Sequence, residues 1–202
     1  MTTSPATRAF FRRPSPAVAR DLLGRGVVST TPEGRVAVRL VEVEAYAGED
    51  DPASHAWRGP TPRTRVMFGR PGHAYVYFSY GMHWCVNLVC EQEGRAAAVL
   101  LRAGEVVAGE DLARSRRRPG TPWARLASGP ANLAAVLGLD GSWDGIDVVA
   151  RGSALRLRPG APVADADVVT GPRVGISRGA DTPWRFHVAG NPCVSGRRRT
   201  GG

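Results

Sequence analysis

The sequence predicts a single mixed α+β domain, and three observations carry that reading. A chain of 202 residues supports one hydrophobic core. Stretches of alternating side-chain character recur between residues 26 and 103, separated by turn residues, as antiparallel strands require. Two other stretches, SPAVARDLLG and SGPANLAAVLG, carry helix start and stop residues instead.

Taken in order, the first residues are polar and predict a flexible arm over 1–8. In SPAVARDLLG, Ser15 is the expected N-cap, Pro16 takes the first helical position and Gly24 stops the helix. A strand follows from Gly26 to Thr30 and turns at TPEG. RVAVRLVEVEAY is the strongest strand, and strict alternation places Val36, Val38, Leu40, Glu42, Glu44 and Tyr46 on one face. Residues 47–72 are rich in Gly and Pro without any period, and a loop this long in a compact domain is usually functional. HAYVYFSY and MHWCVNLVC read as a hairpin with Tyr80 and Gly81 at its tip, and AAAVLLRA at 96–103 as the next strand. GEDLARSRRR predicts a basic helix, and SGPANLAAVLG a helix capped by Ser128, with Pro130 early and Gly138 at its end. The Val-rich runs of the last third predict further short strands, followed by a flexible basic tail over 196–202.

The charge is lopsided, with 27 Lys and Arg against 18 Asp and Glu, for a net charge of +9. A polyanion is the natural partner of such a surface. No apolar run approaches the ~20 residues of a spanning helix, and the N-terminus lacks a signal-like apolar segment, so a cytoplasmic protein without a membrane partner is expected, nucleoid-associated if bacterial. The chain contains no lysine, so all 27 of those cations are Arg. Arg grips phosphate in bidentate fashion and stacks on planar groups, but it cannot serve as an amine nucleophile. Cys85, Cys90 and Cys193 are too few and odd in number for a disulfide framework.

Within this basic chain, Glu42 and Glu44 have Cα atoms about 6.6 Å apart on one strand face, a spacing reminiscent of the acid/base pairs of glycoside hydrolysis. From those two residues alone, a solvated strand end reads equally well. Tyr46, His55, Tyr75, Tyr77, Tyr80, His83 and Trp84 lie within about forty residues of each other. Basic charge with interleaved aromatics suits a nucleic-acid groove with stacking platforms, and an aromatic at a hairpin tip suits a wedge between bases. A carboxylate in the same region suits an enzyme that works on an extruded nucleotide. A zinc nucleobase deaminase needs H-x-E and P-C-x-x-C, which neither His55-Ala56-Trp57 nor Pro192-Cys193-Val194 supplies. His83, Cys85 and Cys90 lack a fourth ligand, so no metal is expected. The other class in play is a non-catalytic damage binder, from which Glu44 separates the enzyme, because pure binding gains nothing from a carboxylate that repels phosphate.

The block EVEAYAGEDDPASHAWRGPTPRTRVMFGRPGHAYVYFSYGMHWCVN, with LLRA at 100–103, SGP at 128–130 and PWRF at 183–186, closely resembles the alkyladenine (3-methyladenine) DNA glycosylase family. The resemblance covers about Ala9 to Ser195, so the domain is expected over 9–195. It implies a curved antiparallel sheet with surrounding helices and a protruding β-hairpin that enters the minor groove. It also implies a base-excision-repair hydrolase that flips alkylated or deaminated purines out of double-stranded DNA and cuts the N-glycosidic bond with an activated water. By motif position, Glu44 matches the general base, and Arg102 a partner that holds the water or the sugar-phosphate. Tyr46, His55 and Tyr77 match residues enclosing the flipped base, and Asn87 the one that crowds the exocyclic amine of normal guanine. Tyr80 matches the intercalating wedge, while Met82, Thr61 and Arg63 match DNA contacts around the gap. A monomer without a cofactor is expected. Cys193 departs from the family, where a larger aromatic stands, and bears on local packing.

Physical chemistry agrees with these roles. A cationic alkylated purine gains about 0.5 to 2 kcal/mol against electron-rich tyrosine faces that a neutral base does not. Oxocarbenium charge develops on the sugar as the bond breaks, and an ionised Glu44 both orients water and stabilises that charge. Strand-nicking glycosylases form a Schiff base through an amine; here the N-terminus is the amine left, so a monofunctional enzyme leaving an abasic site is expected. Attack by water needs one base, which leaves Glu42 a structural role at the strand end.

Overall fold

In the computed structural model, residues 2–79 and 81–196 are described. Eight strands build one open antiparallel sheet, flanked by a few short helices, and the expected α+β architecture is what forms. The strands are β1 (Gly26–Thr31), β2 (Gly34–Ala47), β3 (Ala74–Ser79), β4 (His83–Cys90), β5 (Ala97–Ala108), β6 (Leu155–Arg158), β7 (Val168–Gly171) and β8 (Arg185–Val188). Their order is β3-β4-β5-β2-β1-β6, with β8 pairing to both β2 and β7. The 14-residue β2 is the spine: β5 runs along one side, while β1 takes residues 34–39 and β8 takes residues 42–44 of the other.

The helices are α1 (Arg8–Phe11), α2 (Ser15–Leu22), α3 (Glu110–Ser115) and α4 (Pro130–Leu137). Val18, Ala19 and Leu22 of α2 and Leu133, Val136 and Leu137 of α4 join the sheet residues in the main core. Both expected caps are displaced by one residue. Pro14 precedes α2, and Ser15, fully buried inside it, donates its hydroxyl to the Tyr46 carbonyl at 3.0 Å, a tertiary bond that satisfies the end of β2. At α4 the cap position falls to Gly129, whose φ of +101° favours glycine, and the Ser128 hydroxyl does not serve as cap. Gly138 ends α4 in the left-handed conformation, as expected. The basic helix is shorter than the sequence suggests, because Arg116 leaves α3 to donate to the Val136 carbonyl at 2.9 Å and to Thr31 at 2.8 Å. Helix α1, unforeseen in the sequence, seats the fully buried Phe11. Before it, Thr3 donates its backbone N–H to the Gly160 carbonyl at 2.8 Å, and Arg25 donates to the Ser4 carbonyl at 2.6 Å. Strand β5 continues past residue 103 because its ladder with β2 extends to the Ala37–Ala108 pair.

One expectation about β2 is overturned. Its register with β5 slips three times: between Ala37 and Val38, where β5 passes over Val107; at Val41, where Leu40 opposes Gly104 and Glu42 opposes Ala103; and at Arg102, where Val43 opposes Leu101. An extra residue on a strand reverses the facing of everything beyond it. Val36, Val38 and Leu40 therefore share the main core with Val43 and Ala45, not with Glu42, Glu44 and Tyr46. Both strands carry an extra residue, so they switch faces together and stay paired. Val41 and Ala103 pack with Cys193 in a small cluster beside the paired bulges, a place filled by small side chains. Among the described residues no helix is long and apolar enough to cross a membrane.

Candidate active site

The switch of facing sends a row of side chains to the surface of the sheet away from the main core. Directly paired residues run Tyr75–Asn87–Leu100–Glu44 across β3, β4, β5 and β2, and paired positions share a face. A cavity of about 570 Å³ stands on this face, lined by Tyr46, His55, Tyr77, Asn87, Leu100 and Arg102 among others. Its size falls within the range of small-molecule sites. The long loop after β2 supplies Pro52, His55, Trp57 and Arg58 among others on one side, and the loop after β7 supplies Val174 to Arg178 on another.

Glu44 has no exposed surface and does not itself line the cavity, but three of its partners, Tyr46, Arg102 and Val174, do. Its Oε1 accepts from the Val174 backbone N–H at 2.7 Å and faces Arg102 Nη1 at 3.4 Å, while its Oε2 accepts from the Tyr46 hydroxyl at 3.0 Å. All three partners are donors or cations, which suits an acceptor-only carboxylate. Glu42, equally buried, is fully occupied: Oε1 accepts from Arg102 Nε at 3.1 Å and Arg185 Nε at 2.6 Å, and Oε2 from the Ser195 N–H at 2.6 Å. Ser195 Oγ in turn accepts from Arg102 Nη2 at 3.1 Å. The two carboxylates thus divide the labour, with Glu42 fixing the guanidinium of Arg102 and Glu44 buried just behind the lining residues Tyr46, Arg102 and Val174.

Aromatic rings form the walls. Tyr75 and Tyr77 stack with centroids 5.1 Å apart, and His55 meets Tyr77 edge-on at 4.6 Å while its Nδ1 lies 3.3 Å from the Tyr75 hydroxyl. Burial raises the pKa of Tyr46 well above its ordinary value, and the neighbouring Glu44 carboxylate adds to the shift. Burial does the same to Tyr77. The His55 imidazole is held below its ordinary pKa by partial enclosure of the ring and then by the cation of Arg63, both of which disfavour its charged form. The Arg173 guanidinium lies 4.7 Å from the Tyr46 ring centroid and 5.3 Å from that of Trp184, and a buried bidentate pair with Asp51 neutralises it.

The structure therefore brings Arg102, Tyr46, His55, Tyr77 and Asn87 together around one cavity, with Glu44 bonded to Tyr46 and facing Arg102 behind that lining. Asn87 is 5% exposed, and its Oδ1 has no hydrogen-bond partner among the described residues. Arg63 stands outside the lining, exposed, with its guanidinium 5.5 Å from the Tyr77 ring and donating to the Phe78 carbonyl at 3.1 Å. Thr61 is exposed on the long loop, where its hydroxyl closes a turn with Thr64. Met82 is 68% exposed just past the hairpin tip, and its N–H closes the turn on the Ser79 carbonyl. Tyr80, the expected wedge, lies outside the described residues, as do residues 197–202 of the tail.

Sequence reasoning missed Arg173, Val174, Arg185, Ser195 and Asp51. The last third of the chain contributes four of them from short strands and loops with no period to read. A signal for the bulge was present: in VAVRLVEVEA the apolar period slips at the Leu40-Val41 doublet.

Residues 9–192 match the profile of a family described as methylpurine-DNA glycosylase. A relative from Streptomyces avermitilis assigned as a 3-methyladenine DNA glycosylase is 54% identical over 194 residues, covering 95% of this chain and 91% of its own. Likewise assigned are proteins from Cutibacterium acnes, 54% identical over 92% of this chain and 96% of theirs, and from Frankia casuarinae, 50% identical over 94% and 91%.

Proposed function

The chain belongs to the methylpurine-DNA glycosylase family and is a DNA-repair hydrolase of N-glycosyl bonds, and from that premise we propose that it rotates a damaged purine out of duplex DNA into the cavity beside Glu44. A duplex hides the glycosidic bond from a carboxylate buried inside the protein, so the nucleotide has to leave the stack. The single observation that carries the reading is the buried Glu44 carboxylate held by Tyr46, Arg102 and Val174 just behind the lining of an aromatic-walled cavity.

An extruded purine stacks against the rings of Tyr77, Tyr46 and His55. A cationic alkylated base gains cation–π attraction there that a normal base lacks. Asn87 discriminates against normal guanine by crowding its exocyclic amine. For release, a water held by Glu44 and Arg102 attacks C1′ of the sugar, the C1′–N bond breaks with its electron pair leaving on the base, and Glu44 takes the proton. As charge develops on the sugar, the same carboxylate stabilises it. Purines alkylated at N3 or N7 carry their own positive charge and leave without protonation. The product is an abasic site with an intact backbone, since lysine is absent from the chain.

The test is base release from a duplex containing a methylated purine, under single turnover. Glu44→Gln should bind that duplex with parental affinity while releasing base about 10²- to 10⁴-fold more slowly, the range a positioned general base supplies. Parental release by that variant would overturn the assignment of Glu44. Strand scission at neutral pH without heat or added amine would overturn the monofunctional reading.

A further inference from the structure

Two loops meet over the cavity, and they are tied at their base. Asp51, on the long loop after β2, accepts the Ala53 N–H at 3.1 Å and pairs with Arg173, which also donates to the Gly179 carbonyl at 3.3 Å on the second loop. Above this buried tie the loops touch again through Trp57. Its indole is 39% exposed and lines the cavity, with the guanidinium of Arg178 5.1 Å from its centroid and that of Arg58 5.8 Å away.

The pairing state of these cations distinguishes them. Arg102, Arg173 and Arg185, which shape the interior of the site, all have carboxylate partners. Arg58 and Arg178 have none within 4.0 Å among the described residues, although both line the cavity. Two like charges drawn to one indole with no carboxylate beside them among the described residues repel each other, and an anion that reaches both relieves that cost. A guanidinium stacked on an aromatic keeps its donors directed outward in a fixed plane, the arrangement suited to bidentate phosphate.

We propose that Trp57, Arg58 and Arg178 form a phosphodiester-binding site at the rim of the cavity, which holds a backbone phosphate of the extruded nucleotide. The inference rests on the cavity being the receptacle for that nucleotide. Trp57 orients both cations, the Asp51–Arg173 pair fixes the distance between the loops that carry them, and the phosphate so held places C1′ over Glu44. The site selects the sugar-phosphate backbone without regard to the base.

The experiment measures affinity for a duplex carrying a tetrahydrofuran abasic analogue, across a salt series, for the parent, Arg178→Ala, Arg58→Ala, Trp57→Ala and Trp57→Phe. Each arginine variant should bind about tenfold more weakly, the loss of one charge-assisted contact, and its log K against log salt slope should shrink by about 0.9. Trp57→Phe, which keeps a ring, should lie between the parent and Trp57→Ala. A neutral methylphosphonate at the phosphate flanking the analogue should weaken the parent while leaving Arg178→Ala unchanged. Parental slopes in both arginine variants, or full additivity of Arg178→Ala with methylphosphonates on either side of the analogue, would overturn the site. Failure of the parent itself to release a methylated base would instead sink the reading of the cavity, so the two failures are separate.

Discussion

The Tyr46 hydroxyl donates to Glu44 Oε2 at 3.0 Å, so two residues at spacing two on one strand are joined as donor and acceptor beside the cavity. Burial and the adjacent carboxylate both favour the protonated phenol, which therefore keeps its proton at any pH the enzyme meets. Tyr46→Phe retains the ring face and removes this bond alone. Base release should slow by about 10- to 100-fold, the worth of one hydrogen bond to a charged group, with affinity for methylated duplex close to parental. Single-turnover rates set beside binding isotherms decide it.

Glu42 makes a contrasting prediction. It is the counter-charge of both Arg102 and Arg185 and the acceptor for the Ser195 N–H. Glu42→Ala strips Arg185 of its carboxylate and leaves Arg102 with Glu44 alone at 3.4 Å, and should cost about 3 to 5 kcal/mol of stability, read from the midpoint and slope of urea unfolding. In Glu42→Gln the shape survives but the charge is lost, so a smaller loss of stability should come with slower base release as Arg102 loses its anchor.

These two residues also mark what the sequence could say. Alternation identified Glu42, Glu44 and Tyr46 as sharing a face, and that holds because it depends only on local strand geometry. It failed at Val36, Val38 and Leu40, because a bulge exists only between two strands, and the matching extra residue, Arg102, lies on a strand far along the chain. The cavity residues on β2, β4 and the long loop were legible from the family resemblance and from composition. Arg173 and Val174 were not, for they act through a backbone N–H and a buried ion pair that any residue type and many loops can supply.

His55 gives a pH signature. Its pKa lies below the ordinary value through partial enclosure and the charge of Arg63, so the ring stays neutral in the folded protein where an unfolded one begins to charge. The unfolded chain then binds more protons, and His55 makes folding less favourable as pH falls from about 6.5 through the depressed folded value. An NMR titration of the imidazole should give a midpoint below about 6.5, and Arg63→Ala should move it upward without fully restoring it, because enclosure is the larger cause.

Gly104 lies outside the cavity yet governs it. It opposes Leu40 at the edge of the bulges, and a Cβ there would stand 2.2 Å from Val38 Cγ1 and 2.6 Å from the Arg39 carbonyl oxygen. Its φ is not in the left-handed region, so the obstacle to a side chain is space, not conformation. Gly104→Ala forces β2 and β5 apart where Val41 and Arg102 are the extra residues, and this is where the face of Glu42 and Glu44 is decided. Overpacking of this kind costs about 1 to 3 kcal/mol. Base release should fall along with stability, because Arg102 shifts relative to Glu44, whereas the salt slope of DNA binding should stay parental, since the rim cations lie on other loops. Gly81→Ala is the contrasting case: no atom lies within 4 Å of its Cβ, but its φ is +65°. It should cost about 1 kcal/mol from backbone strain and leave the release rate of bound substrate unchanged. If Gly104→Ala behaved like Gly81→Ala in both stability and release, the paired bulges would not be what positions the carboxylate.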